Sequence, residues 1–252
     1  IEYHDKESFA IWVKFPVRDT DNDAIKGASV VIWTTTPWTI PSNKAVVYSA
    51  DISYGVYEVN DAPEDNWVRK GERYILADKL AEAVFAKARV EDFTRISDAG
   101  DLGNTSLSHP LNDAEGGEGE WDGARDFRAA DFVTEDEGTG FVHCAPSHGM
   151  EEFELYRDLG MLEQMITYNV MEDGRFRADL PFFGGKAILR DKLNKKNKKN
   201  PWEGEANTAV MAKLAEVDGL FARGVIKHSY PHSWRSKAPI LYRNTPQWFA
   251  SV

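Results

Sequence analysis

Apolar and polar residues alternate in a two-residue rhythm over residues 9–17, 29–35, 44–49, 53–60 and 73–77, stretches rich in Val, Ile, Tyr and Trp. That period marks half-buried strands, so the first third of the chain is expected to be β. Over residues 78–90 the period lengthens: Leu80, Val84, Phe85 and Ala88 share one face, and Lys79, Glu82, Lys87 and Arg89 the other. This predicts an amphipathic helix packed on the strands. Strand pattern returns at residues 140–145. Residues 149–160 predict a second helix, with Met150, Phe153, Tyr156 and Leu159 at three-residue spacing and Ser147 as candidate N-cap. A third helix is predicted over 207–222, where Val210, Met211, Leu214, Val217, Leu220 and Phe221 fall on one side. Residues 225–252, dense in Pro and aromatics, read as strand and turn, and no repeat or coiled-coil heptad interrupts the pattern.

One stretch breaks this order. Residues 112–126, NDAEGGEGEWDGARD, hold four Gly and six acidic residues with almost nothing to bury, and are expected to form a mobile surface loop inserted into the domain. Elsewhere 42% apolar and 12% aromatic residues in a chain of 252 suffice for a real core, which excludes wholesale disorder. With 30 Lys plus Arg against 41 Asp plus Glu, the net charge of −11 argues against a general polyanion binder, so any nucleic-acid contact must be local. The most basic window, residues 186–199, carries Lys186, Arg190, Lys192, Lys195, Lys196, Lys198 and Lys199 against the single acid Asp191. It is either a solvated face or a local strip for a polyanion. The lone Cys144 rules out an internal disulfide framework and points to a reducing, cytoplasmic setting. No apolar run approaches the ~18 residues of a membrane helix, and the first residues lack a signal-peptide pattern. The opening without Met and the apolar close at TPQWFASV lead us to expect a piece of something longer.

Several chemistries lack their parts: there is no Gly-rich phosphate loop, no His-Glu-x-x-His, no Gly-x-Ser-x-Gly and no Cys pair. Two runs stand out instead. In the first, Thr34, Thr35, Thr36 and Thr39 cluster at the end of a strand bent by Pro37 and Pro41, beside Trp38 and Asn43. So many hydroxyls cannot all face one core, and a hydroxyl can hold a water, a ribose or an ester oxygen without adding charge. The second, GTGFVHCAPSHGMEEF at 138–153, places His143, His148, Glu151 and Glu152 around a strand-to-helix junction. His143 alternates with Val142 and Cys144, so it points either to solvent or into a polar pocket. Carboxylates in a first helical turn fit the helix dipole, and one facing a pocket could instead receive a substrate ammonium. His148 reads as a loop residue without a role, and Cys144 as a buried inert thiol.

Taken together, WTTTPWTIPSN at 33–43, GTGFVHCAPSHGMEEF at 138–153, HSYPHSWR at 228–235 and APILYRNTPQWF at 238–249 resemble the editing domain inserted into the catalytic domain of isoleucyl-tRNA synthetases. The resemblance covers nearly the whole chain. Valyl and leucyl relatives share the Thr-rich strand and the GTG turn but follow the threonines with Arg-Pro, where this chain has Pro37-Trp38. The two ATP-site signatures, His-Ile-Gly-His and Lys-Met-Ser-Lys-Ser, are missing.

The resemblance implies an α+β fold with a β-barrel-like core and peripheral helices, an insertion domain of a class I aminoacyl-tRNA synthetase spanning residues 1–252 as one unit. Residues 1–4 and 247–252 would be strands connecting it to the catalytic domain, with the two ends close together. It implies hydrolysis of the ester of valyl-tRNA(Ile), with no metal and no cofactor in this piece; ATP and Mg would serve the parent ligase. The catalytic residues would be Thr34, Thr35, Thr36 and Thr39, which with Asn43 surround the terminal adenosine and the ester, and His143, which with Trp38 shapes the side-chain pocket and alone near the threonines has base character; Glu152 would receive the α-ammonium. The family has Asp where Glu152 stands, so Glu151 could share that task. Expected partners are the acceptor end of tRNA(Ile) carrying valine, touched by Lys195, Lys196, Lys198 and Lys199, and the rest of the synthetase, with no membrane. The alternatives are a tRNA-end binding module without hydrolysis, or an editing domain of valyl or leucyl type.

Overall fold

Strand β1 (Glu2–Thr20) runs through the middle of the molecule, and its sequence explains why: Ile11, Val13 and Phe15 face one side, Ala10 and Trp12 the other, and all are buried. A strand covered on both faces reads as a nearly continuous apolar run. The computed structural model of the chain describes residues 1–192, 194, 196 and 200–247. After β1 come β2 (Ser29–Thr34), a 3-10 turn (Pro37–Ser42), β3 (Ala45–Tyr48), β4 (Tyr54–Asp61), β5 (Arg73–Ala77) and helix α1 (Ala81–Lys87). Then follow β6 (Asp92–Asp98), β7 (Thr105–Ser108), β8 (Ala124–Ala129), β9 (Phe141–Cys144), α2 (Met150–Asp158), α3 (Leu162–Met165), α4 (Ala206–Glu216) and β10 (Leu220–His232).

The chain adopts the α+β class with peripheral helices. Its strands lie in the order β6-β4-β5-β2-β1-β7-β8-β3-β9, with β10 added on β1. The core read as barrel-like is thus an open path, whose ends β6 and β9 are not paired with each other. The path folds back on itself where Ala77 N–H donates to Thr139 O at 3.1 Å, tying the end of β5 to the turn before β9. Gly140 permits this approach: its φ is +85°, and a Cβ there would stand 2.5 Å from Ala77 Cβ.

Three apolar clusters hold the layers. The largest joins Ile11, Val13, Phe15, Val30 and Ile32 to Trp38 and Ile40 of the 3-10 turn and to Val210 and Leu214 of α4. The second packs α1, through Val84 and Phe85, on Tyr57, Tyr74 and Phe221. The third sets Tyr156 of α2 under Ala45, Val47 and Cys144. The thiol of Cys144 is buried and pushed far up by desolvation, as expected for an inert core cysteine.

Several expectations are corrected. The helix predicted to 222 ends at Glu216: Asp218 takes φ +59°, Gly219 N–H caps Leu214 O at 2.7 Å, and Leu220 and Phe221 enter β10. Ser147 is not the N-cap of α2; Gly149 holds that place, and Ser147 Oγ donates to Thr167 O at 2.9 Å and accepts from Thr167 N–H at 2.7 Å. The segment 112–126 does have something to bury. It contains the start of β8 and a run of turns anchored by Trp121, 1% exposed, whose indole donates to Pro41 O at 3.0 Å and stacks between His109 and Phe182. At the ends, Glu2 pairs with His232 and Lys237 Nζ meets Glu2 at 2.5 Å, while residues 248–252 lie outside the described residues.

Candidate functional site

The two chemistry-bearing runs meet because β3 sits between them. Leaving β2, the chain turns at Thr36 into the Pro37–Ser42 3-10 turn, every residue of which is buried, and enters β3 through Asn43. Strand β9 pairs antiparallel with β3, setting Cys144 opposite Ala45 and His143 opposite Val46. That register brings the His143 ring against Thr39 and Asn43, residues about a hundred positions away in the chain.

The contacts there form a directed chain. Asn43 Nδ2 lies 2.7 Å from Ala45 O and 2.7 Å from His143 Nδ1. A carbonyl only accepts, so this nitrogen is the amide NH2, and its second hydrogen goes to His143 Nδ1. His143 Nε2 therefore carries the ring proton and donates to Thr39 Oγ1 at 3.0 Å, while Thr39 O–H donates to Thr36 O at 2.9 Å. Burial, with His148 nearby, pushes the His143 ring down to about 3, so it stays neutral at ordinary pH. Its only lone pair is already occupied, which removes it as a general base in this arrangement. The open alternative for its direction resolves as a polar pocket: His143 is 8% exposed. Among the described residues Asn43 Oδ1 is buried with no partner, an unsatisfied acceptor beside the ring.

This chain continues to the surface. Thr36 Oγ1 lies 3.2 Å from Thr34 Oγ1, and Thr34 and Thr35 line a hollow of about 360 Å³ with Trp33, Glu137, Ile226 and His228. A seam of hydroxyls thus runs from an open hollow to the buried His143. Thr36, Thr39, His143 and Glu152 are not among the walls of that hollow.

Glu152 stands in the first turn of α2, its carboxyl folded back over Gly149, where a Cβ would meet Oε2 at 1.8 Å. Its own backbone N–H supports the carboxyl, but desolvation dominates and, with Glu151 adding to it, raises Glu152 to about 7. Glu151 itself is exposed. Among the described residues no hydrogen bond joins Glu152 to the threonines. Lys196 is exposed, and Lys195, Lys198 and Lys199 lie outside the described residues.

Sequence reasoning missed His148, which reads as a loop residue but is built into the site. Its ring meets Trp38 edge to face at 4.8 Å, and it bridges Ser42 Oγ at 3.2 Å and Tyr242 O at 3.0 Å. It also missed Asn207, whose Oδ1 accepts Trp38 N–H at 2.8 Å, and Asn169, which donates to Pro41 O and Ser42 Oγ at 3.2 Å each. The HCAPSHG run held the signal for His148; the two asparagines, far along the chain, carried none. Among the described residues, no group of three or more His, Cys, Asp or Glu could hold a metal ion, and no helix is long and apolar enough to cross a membrane.

No family model matches the chain. It is 66% identical over 254 residues to the isoleucine–tRNA ligase of Ruegeria pomeroyi, covering 100% of this chain and 25% of that protein. It is 45% identical over 260 residues to the ligase of Rhodopseudomonas palustris, again 100% of this chain and 25% of the other. The Caulobacter vibrioides ligase is 47% identical over 253 residues, 99% of this chain and 25% of its own length. The chain therefore spans about a quarter of the length of the curated relatives it matches. A solved structure described as GlLeuRS-CP1 overlaps with TM-score 0.42 at 16% identity, over 62% of this chain and 64% of that one, too slight a likeness to bear on function. On the sequence agreement along its whole length, the chain belongs to the isoleucine–tRNA ligases as a segment of one.

Proposed function

We propose that this segment edits: it hydrolyses the ester joining valine to the 3′-terminal ribose of tRNA(Ile), for a parent enzyme that ligates isoleucine to that tRNA with ATP. One observation carries the reading. The hydroxyl seam leads from an open hollow to a buried, uncharged wall made by Thr39 and His143. Such a site suits a neutral ester and a small branched acyl group. The need for it is physical: one methylene in an apolar pocket is worth only about 1–3 kcal/mol, and this pair of amino acids is the standard worked case of that bound, so a second sieve must remove what the first admits.

The roles follow from the contacts. Thr34 and Thr35 face the hollow and offer hydroxyls to the ribose and the ester. Thr36 and Thr39 hold the seam in place, Thr39 O–H on the Thr36 carbonyl and Thr36 N–H on Thr34 Oγ1, so that the hydroxyls facing the hollow are positioned before the ester arrives. His143, with its lone pair engaged, acts as wall rather than base. Asn43 Oδ1 is the free acceptor for a water or hydroxyl proton donor. Glu152 is the receptor for the α-ammonium, and a cation docking there would draw its carboxyl back into the ionised form. ATP and Mg belong to the parent ligase, and this segment's reaction is hydrolytic. The lysines from 195 to 199 are the proposed contact with the acceptor arm, in a cytoplasmic enzyme.

The test offers valyl-tRNA(Ile) and isoleucyl-tRNA(Ile) to the full-length ligase. Selective loss of the valyl ester is expected. Binding without turnover would leave only a docking module, and preferential loss of a threonyl or leucyl-type ester would move the segment to the valyl or leucyl kind.

A further inference from the structure

His148 is held at both ring nitrogens. Tyr242 offers it a carbonyl, which can only accept, so Nδ1 carries the ring proton and donates at 3.0 Å. Nε2 is then the acceptor, and Ser42 O–H donates to it at 3.2 Å. Ser42 Oγ in turn accepts from Asn169 Nδ2 at 3.2 Å, and Asn169 Oδ1 accepts from Arg177 Nε at 3.1 Å. The relay has one direction from Arg177 to Tyr242. The segment carrying Tyr242 is clamped a second time, where Asn244 N–H donates to Ser147 O at 3.0 Å. Desolvation pushes the His148 ring down to about 4, so it holds this uncharged form at neutral pH.

This fixed ring and the Trp38 indole meet edge to face, at 4.8 Å between centroids and 69° between planes. Trp38 follows Pro37 and precedes Thr39, whose hydroxyl meets His143. Its backbone N–H is held by Asn207, and its indole is packed into the largest apolar cluster with the His148 ring against it, so His148 completes the packing that sets its χ1. We propose that His148 is a positioning residue: it locks the Trp38 indole, and through it the size of the acyl pocket, using the Tyr242 carbonyl as its anchor. The inference rests on the editing reading for its effect on selectivity, and on the contacts alone for its effect on Trp38.

Two variants of the full-length ligase separate shape from hydrogen bonding. His148→Ala removes the edge contact and both hydrogen bonds; His148→Phe keeps an aromatic edge and loses both bonds. An edge-to-face pair is worth up to about tenfold in an equilibrium, so His148→Ala should lower the ratio of valyl to isoleucyl ester hydrolysis by about that factor. The change should come from a rise in kcat/KM on the isoleucyl ester, with KM for valyl-tRNA(Ile) kept. His148→Phe, which keeps a ring but loses the Tyr242 anchor, should fall between the parent and the Ala variant, lowering the ratio by about threefold. A crystal structure of the Ala variant should show the Trp38 indole rotated toward the vacated space. Rates on both esters falling in step, or Trp38 unmoved in that crystal structure, would overturn the proposal. If the parent enzyme hydrolyses neither ester, the editing reading fails, while a displaced Trp38 still upholds the positioning role.

Discussion

Acid should unfold this protein early, and the cause lies in three uncharged rings, two of them buried and one half-buried. His109, His143 and His148 are all held in the neutral form: desolvation, the largest cause in each, sets His148 at about 4, His143 at about 3 and His109 well below its ordinary value. Their unfolded counterparts titrate near 6.5. The sign follows directly. Between about pH 4 and 6.5 the unfolded chain binds protons that the folded chain refuses, so stability falls as pH falls. Glu152 acts the other way: raised to about 7, it is protonated in the fold while still ionised in the unfolded chain, and gains stability as pH falls from 7 toward 4.5. Three protons against one leave a net uptake of roughly two on unfolding, a slope of about 3 kcal/mol per pH unit. Two units of acidification would then erase about as much as a typical domain possesses. Urea midpoints followed by tryptophan fluorescence between pH 4.5 and 7, at constant ionic strength, give the slope. His143→Gln should reduce it by one proton, about 1.4 kcal/mol per pH unit, whatever it does to the baseline at pH 7. A stability that is flat from pH 6 to 4.5, or a slope the same in parent and variant, would refute the reasoning.

Two further outcomes test the packing. Trp121→Ala should cost about 3–5 kcal/mol by urea denaturation, because it removes a fully buried indole and its bond to Pro41 O; a loss under 1 kcal/mol would mean the 112–126 segment is not anchored as described. Gly140→Ala should destabilise by more than about 1 kcal/mol, since φ is +85° and the added methyl meets Ala77, and thermal melts that leave the midpoint unchanged would contradict the tight approach of β5 to the turn before β9.

How much of this was legible depends on how local the signal is. Strands β1 to β5 and β9 lie where the sequence places strands, although β1, β2, β3 and β5 are buried on both faces over much of their length and so read as apolar runs rather than half-buried alternation. Strands β6, β7 and β8 carry no such signal. Asp92–Asp98 is DFTRISD, an edge strand exposed along most of its length, and an edge has no second face to pattern. Helix α4 ends before its apolar period does: Val217, Leu220 and Phe221 continue the spacing, but the left-handed Asp218 and the Gly219 N–H on Leu214 O stop the helix, and a period count is blind to both. At the site, the threonines and His143 announce themselves by clustering, but which atoms meet does not. Thr39 finds His143 through the β3–β9 register, a pairing no local pattern specifies. Trp121 was hidden for the opposite reason: one indole amid Gly and acids looks like a loop, although a single large ring can anchor a whole turn run.

Strand β1 pairs residue by residue with β10, Phe9 with Val225 and Ile11 with Arg223, while its other edge takes β2. During synthesis one edge is therefore sealed within a few residues and the other waits. At about 5–20 residues per second, the roughly two hundred intervening residues keep the apolar middle of β1 half-zippered for on the order of 10–40 s. The nascent chain leaves the ribosome with an open seam along its most hydrophobic strand, so holdase chaperones should bind it there, and release should coincide with the emergence of residues 220–232.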